Sequence, residues 1–420
     1  MKKFLSIILL TTLVACSNSS KQSIESDLPV IDLEKEYPVK RIDIHEIADV
    51  EYIPLETTDE SVLSVGATKI MSNKYIIVAE NTLGLYYFNV FDRQGKYIRT
   101  IDRQGDGPEE YPNYLNFIAD FEANELFVRT GTNIEIKVYT LDGTFLRKFK
   151  LPSRKEAHYY AFENLYNYDK DYLIAYNDMY WPSLKEEYHR DVDKTPYYLI
   201  NKKDGSIKSI DERLTVNNPT VPFFRMGQDM AGRYLIRQGY DHFHLLMNGS
   251  SEALLLENSL DTIYVYKNHV LEPVMIRTPQ TASMNPQCFI APCVFTDKYF
   301  IYRKVTMIRD EEKEKKELVP YDTRTCPAYI MYRETGEIFQ LELYDSNLSS
   351  KIRLDNKART GFPGNGLFFS STERNQISGH HNASYLLENF DTSTFKGKLK
   401  EAVSKMTEED NPLTVIYTFK

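Results

Sequence analysis

The sequence predicts an all-β fold: a six-bladed β-propeller of four-stranded antiparallel blades, with N- and C-terminal strands closing the ring and one C-terminal helix. Three observations predict it. A strand, a glycine-centred turn and a second strand recur along the chain, first at residues 90–99 around Gly95 and again at 138–147 around Gly143. Each hairpin follows another β-rich pair, which makes four short strands in a unit of about 45–60 residues, the size of a propeller blade rather than a solenoid turn. The composition, 31 Tyr and 22 Phe against a single Trp in 420 residues, suits pleated, half-buried surfaces.

In chain order, residues 1–15 read as a signal peptide: Met1-Lys2-Lys3, an apolar run over 4–14, then Leu13-Val14-Ala15 before Cys16. A membrane-spanning helix needs about 20 apolar residues, and this run is too short. Ala15 before Cys16, with Leu13 behind it, resembles the lipobox of bacterial lipoproteins, which implies lipidation of the Cys16 sulfur and several acyl chains to hold the membrane. Residues 16–36 are then the lipidated cysteine and a flexible tether, because 17–23 is polar and lacks apolar periodicity. The propeller is expected over 37–420.

Within it, residues 74–79, 126–129 and 172–176 supply the strand pairs ahead of the hairpins at Gly95, Gly143 and Gly205, and Gly336 centres a further copy. The interval between Gly205 and Gly336 has room for a cryptic turn, placed at Lys267-Asn268, which brings the count to five blades. The sixth must come from the chain ends, with 413–419 as a terminal strand and 50–55 in the same blade, because a closed ring leaves no exposed edge between first and last blades. Residues 395–406 carry apolar positions at helical spacing just before the closing strand.

Four segments together carry a family resemblance: Ile53-Pro54-Leu55-Glu56-Thr57, then Phe91-Asp92-Arg93-Gln94-Gly95-Lys96, then Gly105-Asp106-Gly107-Pro108-Glu109-Glu110-Tyr111, and finally Asp410-Asn411-Pro412-Leu413. They resemble the six-bladed β-propeller lipoproteins of Bacteroidetes, which are distantly similar to NHL-type propellers. The resemblance implies architecture and an envelope location and hands over no catalytic residue. Glu109 stands where a small residue is usual. On physical grounds Gly105 and Gly107 are expected at positive φ, with 109–111 hydrogen-bonding back across a blade junction. The alternative is a Ca²⁺ contact through Asp102, Asp106 and Glu109, whose spacing matches no EF-hand loop.

The net charge of −9 is scattered, which argues against a nucleic-acid partner. Residues 309–317 alternate in sign and read as a solvated hairpin loop. Cys288, Cys293 and Cys326 permit one disulfide with one thiol left over, and three pairings stay open. There is no Gly-x-Ser-x-Gly elbow, no phosphate-binding glycine loop and no two-histidine zinc helix, since the His45-Glu46 segment lacks a second histidine.

No cofactor is expected apart from a candidate divalent metal. His242 and His244, at i and i+2, would share a strand face, and His380 with His381 are the residues to complete a ligand set; a hydrogen-bonded histidine pair is the alternative. Residues 177–190 interrupt the blade pattern and carry Tyr180, Trp181 and Tyr188, the aromatic types that grip sugar rings and peptide side chains. The expected role is therefore an envelope-anchored binding or scaffold module for a glycan, a peptide or a partner protein, held to the membrane, outer membrane foremost, through its N-terminal lipid. Two other roles stay open: a channel-centred lyase or hydrolase, with or without a metal, and a structural lipoprotein of a membrane complex.

Overall fold

Short turns return each strand antiparallel to the one before it, so strands adjacent in sequence pair in space. The computed structural model describes residues 28–420 apart from 65–67, 82–83, 131–134, 153–161, 163–164, 178–194, 217–223, 229–233, 239–244, 307, 310–320, 323–325, 353, 355–365 and 369–371. Six four-stranded blades result. Blade 1 is Thr68–Met71, Tyr75–Glu80, Tyr87–Asp92 and Tyr97–Ile101. Blade 2 is Asn116–Asp120, Glu125–Arg129, Glu135–Thr140 and Phe145–Lys150. Blade 3 is Leu165–Asn167, Tyr172–Tyr176, Tyr197–Asn201 and Ile207–Ser209. Blade 4 is Leu245–Met247, Glu252–Leu255, Thr262–Lys267 and Val270–Thr278. Blade 5 is Cys288–Phe295, Tyr299–Thr306, Ala328–Tyr332 and Ile338–Asp345. Blade 6 takes Gly366–Phe368, Gln376–His381 and Leu413–Phe419 from the C-terminal end and Ala48–Pro54 from the N-terminal end.

Among the described residues, the exposed positions of the blade strands lie in the fourth strands. Cys288–Phe295 is buried throughout, whereas Phe145–Lys150 alternates with exposed residues. First strands of neighbouring blades touch, as Asn116–Asp120 does Leu165–Asn167, so they line the axis and the fourth strands form the rim. The apolar side chains collect between blades in six clusters, one per junction. Ile77 and Val90 of blade 1, for example, meet Phe117 and Leu126 of blade 2. The hairpin glycines belong to the same junctions: Gly95 has φ +86, and a Cβ there would lie 2.9 Å from the Ile53 side chain of blade 6.

Several expectations shift by small amounts. The hidden turn of blade 4 is Asn268-His269, one residue later than placed, with φ 48° and 64°. The C-terminal helix is Gly397–Val403, and a second helix, Ala383–Asn389, precedes it. Ile308–Arg309 pairs antiparallel with Tyr321–Asp322, and residues 310–317 of the alternating charge run lie outside the described residues. Packed structure also begins ahead of residue 37. Val30–Asp32 lies parallel to the fourth strand of blade 4, and Val39–Asp43 lies parallel to that of blade 5. The N-terminal segment therefore follows the rim past two blades before it completes blade 6.

Two polar clamps fix that segment. Asn411, 2% exposed, donates to the carbonyls of Glu56 and Ser61 at 2.8 and 2.7 Å and accepts the Leu63 N–H at 2.8 Å. The second clamp is His45, in the short helix Ile44–Ile47. Its Nε2 lies 3.1 Å from one oxygen of the buried Asp345 carboxylate, whose other oxygen accepts the Tyr52 hydroxyl at 3.1 Å. Asn347 and Leu348 donate backbone N–H groups to the same carboxylate. The hydrogen bond to Asp345 raises the His45 pKa, with burial opposing it; burial pushes the Asp345 carboxyl up, but the His45 and backbone bonds bring its pKa below the usual value.

Asn411→Ala leaves three backbone groups without their partner and is expected to cost about 2–4 kcal/mol in urea unfolding. The His45 contribution is complete below its unfolded pKa and is lost as pH rises through its higher folded value, while that of Asp345 is lost only as pH falls through its lowered one. Wild type should therefore lose stability between pH 6 and 8 relative to His45→Gln, and parallel urea midpoints for the two proteins over that range would rule the clamp out.

Candidate functional site

The alternation of strand direction sorts every connection onto one of two faces. Links between first and second strands, and between third and fourth, share one face, and among them are 72–74, 121–124, 296–298, 141–144 and 268–269. All are short. This is the hairpin face. Links between second and third strands, and between successive blades, leave from the opposite face, and they include 177–196, 210–244, 307–327, 346–365 and 382–412. The second of these contains its own hairpin, Phe224–Gln228 with Tyr234–Gln238, and the last contains the two C-terminal helices. This loop face is where chain length has been added beyond what the blades need, the usual place for binding residues on a rigid scaffold.

Beneath the loop face lie buried polar or charged residues of the second strands: Glu80, Arg129 and His381 at strand ends, Glu257 just past its strand, and Arg303 where pairing with the third strand stops. Glu80 takes the Ser64 N–H on its carboxylate at 2.8 Å, and its carbonyl accepts the Tyr114 hydroxyl at 2.7 Å. Glu257 accepts the Tyr176 hydroxyl at 2.8 Å and both donors of Ser259 at 3.0 Å. Arg277, 1% exposed, donates to Asn258 Oδ1 at 3.0 Å and to the carbonyls of Asn258 and Leu260 at 2.5 and 2.6 Å. Burial brings its pKa down to about 10, with Glu257 and Asp261 opposing the shift. The 257–261 link is thus held from below by one guanidinium. Arg129 and Arg303 stand in blades 2 and 5, three blades apart in a ring of six, at the ends nearest the loop face. Such an arrangement offers rigidly supported charge under long connections, which suits recognition of a polar ligand.

Of the residues singled out in the sequence, Cys16, Tyr180, Trp181, Tyr188, His242 and His244 lie outside the described residues. Tyr176 and Tyr197, which bound 177–196, and Leu245, which follows 239–244, are at strand ends on the loop face. His380 and His381 end the second strand of blade 6 on that face, with His380 opposite Thr414 and partly exposed. Among the described residues no three His, Cys, Asp or Glu side chains are grouped as a metal site. Cys288 and Cys293 are buried free thiols on the first strand of blade 5, and Cys326 is a partly buried free thiol, so no disulfide joins any two of the three.

The Gly-x-Gly-Pro loop departs from expectation in its reason for glycine. Neither Gly105 nor Gly107 is at positive φ; a Cβ on Gly105 would lie 2.0 Å from the Glu110 carboxylate, which accepts the Gly107 N–H at 3.0 Å. Close approach, not handedness, is the constraint. The loop does reach across the junction as expected: Tyr139 of blade 2 donates to the Glu109 carbonyl at 2.7 Å, and Lys137 donates to those of Pro108 and Glu110. Asp102 accepts the Gln104 N–H at 3.0 Å, within the same turn. These bonds account for the loop as a junction element.

Glu80, Arg129, Glu257, Arg277 and Arg303 were not singled out by sequence reasoning. The available signal was a charged residue closing an apolar run, as in Leu126-Phe127-Val128-Arg129, which reads equally well as a strand emerging into solvent.

Residues 28–418 match the family model described as a domain of unknown function, DUF4934. Among solved structures, a Bacteroides fragilis protein that bears the provisional name of an exported protein superposes with a TM-score of 0.56 at 14% identity, covering 93% of this chain and 99% of that one. A Bacteroides vulgatus member of the DUF4221 family gives a TM-score of 0.46 at 14% identity, covering 92% and 99%. No curated protein matches the sequence. At 14% identity the likeness to the Bacteroides fragilis protein is one of fold.

Arg277→Met removes the donors to three acceptors under the loop face and should cost about 3 kcal/mol. Amide exchange should accelerate at residues 257–261 before it does in the strands of blade 4; unchanged exchange there would show that the guanidinium does not hold the link.

Proposed function

The chain belongs to the DUF4934 family, and from that premise we propose that it is an exported, lipid-anchored binding module of the cell envelope that uses its loop face to hold a glycan, a peptide or a partner protein. One observation carries the reading. The two faces differ in kind: links on the hairpin face run from two to seven residues, while connections such as 177–196, 210–244 and 307–327 leave from the other. Extra chain costs ordering entropy and adds little to a ring already closed, so its concentration on one face fits a recognition surface.

The single tryptophan and its neighbours Tyr180 and Tyr188 belong to one of these connections. Flat aromatic faces bind sugar rings and peptide side chains at low entropic cost. The buried Arg129, Arg303, Glu80 and Glu257 beneath would orient polar groups of a bound ligand. The lipobox at Leu13-Val14-Ala15-Cys16 supplies the address, and the name of the Bacteroides fragilis neighbour points the same way.

The test is a binding screen of the purified chain against arrayed bacterial and host glycans and against envelope peptides, with Trp181→Ala and Tyr180→Ala variants alongside. Trp181→Ala should weaken a bound ligand by tenfold or more while leaving the unfolding midpoint within about 0.5 kcal/mol of wild type. A ligand whose affinity ignores both aromatic changes but falls when hairpin-face residues are altered would overturn the assignment of the face.

A further inference from the structure

Five large apolar side chains stand exposed beside hairpins that join third and fourth strands. Ile98 and Leu146 each follow a glycine hairpin, at Gly95 and Gly143, in the rim strands of blades 1 and 2. Val270 directly follows the Asn268-His269 turn of blade 4. Val39 pairs with Gln340 just beyond the Gly336 hairpin of blade 5, and Val30 shares a cleft of about 520 Å³ with Gly336, Glu337 and Phe339 of that hairpin. Their exposures run from 37% for Ile98 to 61% for Val39. Inside a blade such side chains would be covered; here they recur at equivalent places around the ring.

The start of the described chain lies at one of the same hairpins. Pro29 faces Gly336, a Cβ on which would lie 3.5 Å from the proline ring, and the Pro29 carbonyl accepts the Ile276 N–H at 2.9 Å. Residues 17–28 separate this fixed point from Cys16. Even fully extended, that length spans no more than about 45 Å, so acyl chains on Cys16 would keep a bilayer within reach of this side of the ring. Arg41, Lys96, Arg99 and Lys148, all exposed, flank the apolar positions. Scattered apolar side chains between long basic ones suit a lipid–water interface, where the apolar parts enter and the charged heads stay in water.

We propose that the hairpin-face rim, through Val30, Val39, Ile98, Leu146 and Val270, rests on the lipid bilayer and turns the loop face away from it. This rests on the lipid-anchored reading above. No single one of these contacts would hold a free protein to a membrane. A tether changes the arithmetic, because it makes each weak contact intramolecular and supplies a high effective concentration of lipid surface.

The test uses the full chain purified from a bacterial host and reconstituted in vesicles of phosphatidylethanolamine and phosphatidylglycerol (3:1) that contain a phospholipid with a photoreactive acyl chain. Mass spectrometry of the Cys16 peptide first reports acylation. After irradiation, lipid adducts should be several-fold more frequent on peptides containing Val39, Ile98, Leu146 and Val270 than on those containing Val62, Leu85 and Leu115, which are 53–62% exposed and lie on the loop face. Combined Ile98→Asp, Leu146→Asp and Val270→Asp substitution should erase that preference while the chain stays vesicle-bound. An acylated chain with adducts spread evenly over both faces, or concentrated on the loop face, overturns the proposal alone. A chain that carries no acyl group on Cys16 overturns the proposal together with the anchored reading.

Discussion

The ring depends on the antiparallel pairing of Ala48–Pro54 with Leu413–Phe419, which joins the two ends of the chain over a register running from Ala48 opposite Phe419 to Pro54 opposite Leu413. The apolar clusters lie between blades rather than within them, so each blade is covered only if it has a neighbour on both sides. An open ring would uncover one cluster outright, that of Ile53, Leu55 and Ile416 against Ile76, Val78 and Phe91. Burying such side chains contributes roughly 1.5–3 kcal/mol each, so the last junction formed carries a large share of a stability that for a whole domain is only about 5–15 kcal/mol. Closure is therefore a condition for the other five junctions to persist and not a finishing detail. Asn411 and the His45–Asp345 pair stand on either side of this seam, where a polar clamp has the most to protect.

The division of labour between the faces follows from that closure. With all six junctions occupied, a third-to-fourth hairpin must fit against the preceding blade, which is why Gly95 admits no Cβ and Gly205 lies against Phe149 and Lys150. A lengthened turn there would prise two blades apart. Links on the other face are not confined to such a gap: 102–115 and 382–412 both reach across junctions, through Tyr139 on the Glu109 carbonyl and Asn411 on the Glu56 carbonyl, and still run long. The long segments at 177–196 and 210–244 are thus placed where the architecture permits them, and the buried charges below them are held by partners from neighbouring elements: Tyr176, at the end of a blade 3 strand, on Glu257, and Ser64, in a link, on Glu80.

Much of this architecture is legible in sequence because it is locally encoded. Gly95, Gly143, Gly205 and Gly336 all adopt positive φ, and each punctuates a strand pair within ten residues. The blade 4 turn is harder to see because Asn268 and His269 take the left-handed conformation in place of glycine, so register alone can place it. The strands Val30–Asp32 and Val39–Asp43 are illegible for another reason: each is short, parallel, and paired with a partner more than two hundred residues away, so no periodicity near residue 30 announces it. The buried charges were missed because a terminal Arg or Glu on an apolar run looks the same whether water or protein lies beyond it. Gly105 departs from the left-handed expectation because a sequence does not show that a carboxylate four bonds out on Glu110 folds back over the glycine.

The N-terminal segment also settles how the rim edges are managed. Blades 4 and 5 have their outer edges covered by a parallel strand from the chain's own start, and blade 6 has its edge strand supplied by Ala48–Pro54. The fourth strands of blades 1, 2 and 3 end their sheets among the described residues, and an uncovered edge invites pairing with another chain. Their sequences carry the usual protection. Phe145-Leu146-Arg147-Lys148-Phe149-Lys150 places three cations in six residues, and Ile207-Lys208-Ser209 is short. Arg147 is drawn inward onto Glu125 and the Lys202 carbonyl, which leaves Lys148 and Lys150 outward, where desolvating them against an incoming strand would be costly. Cations on the rim therefore have a sufficient cause in edge protection, and their presence alone is no argument for an acidic partner. The apolar residues beside them have no such cause, because edge protection would remove them rather than repeat them from blade to blade.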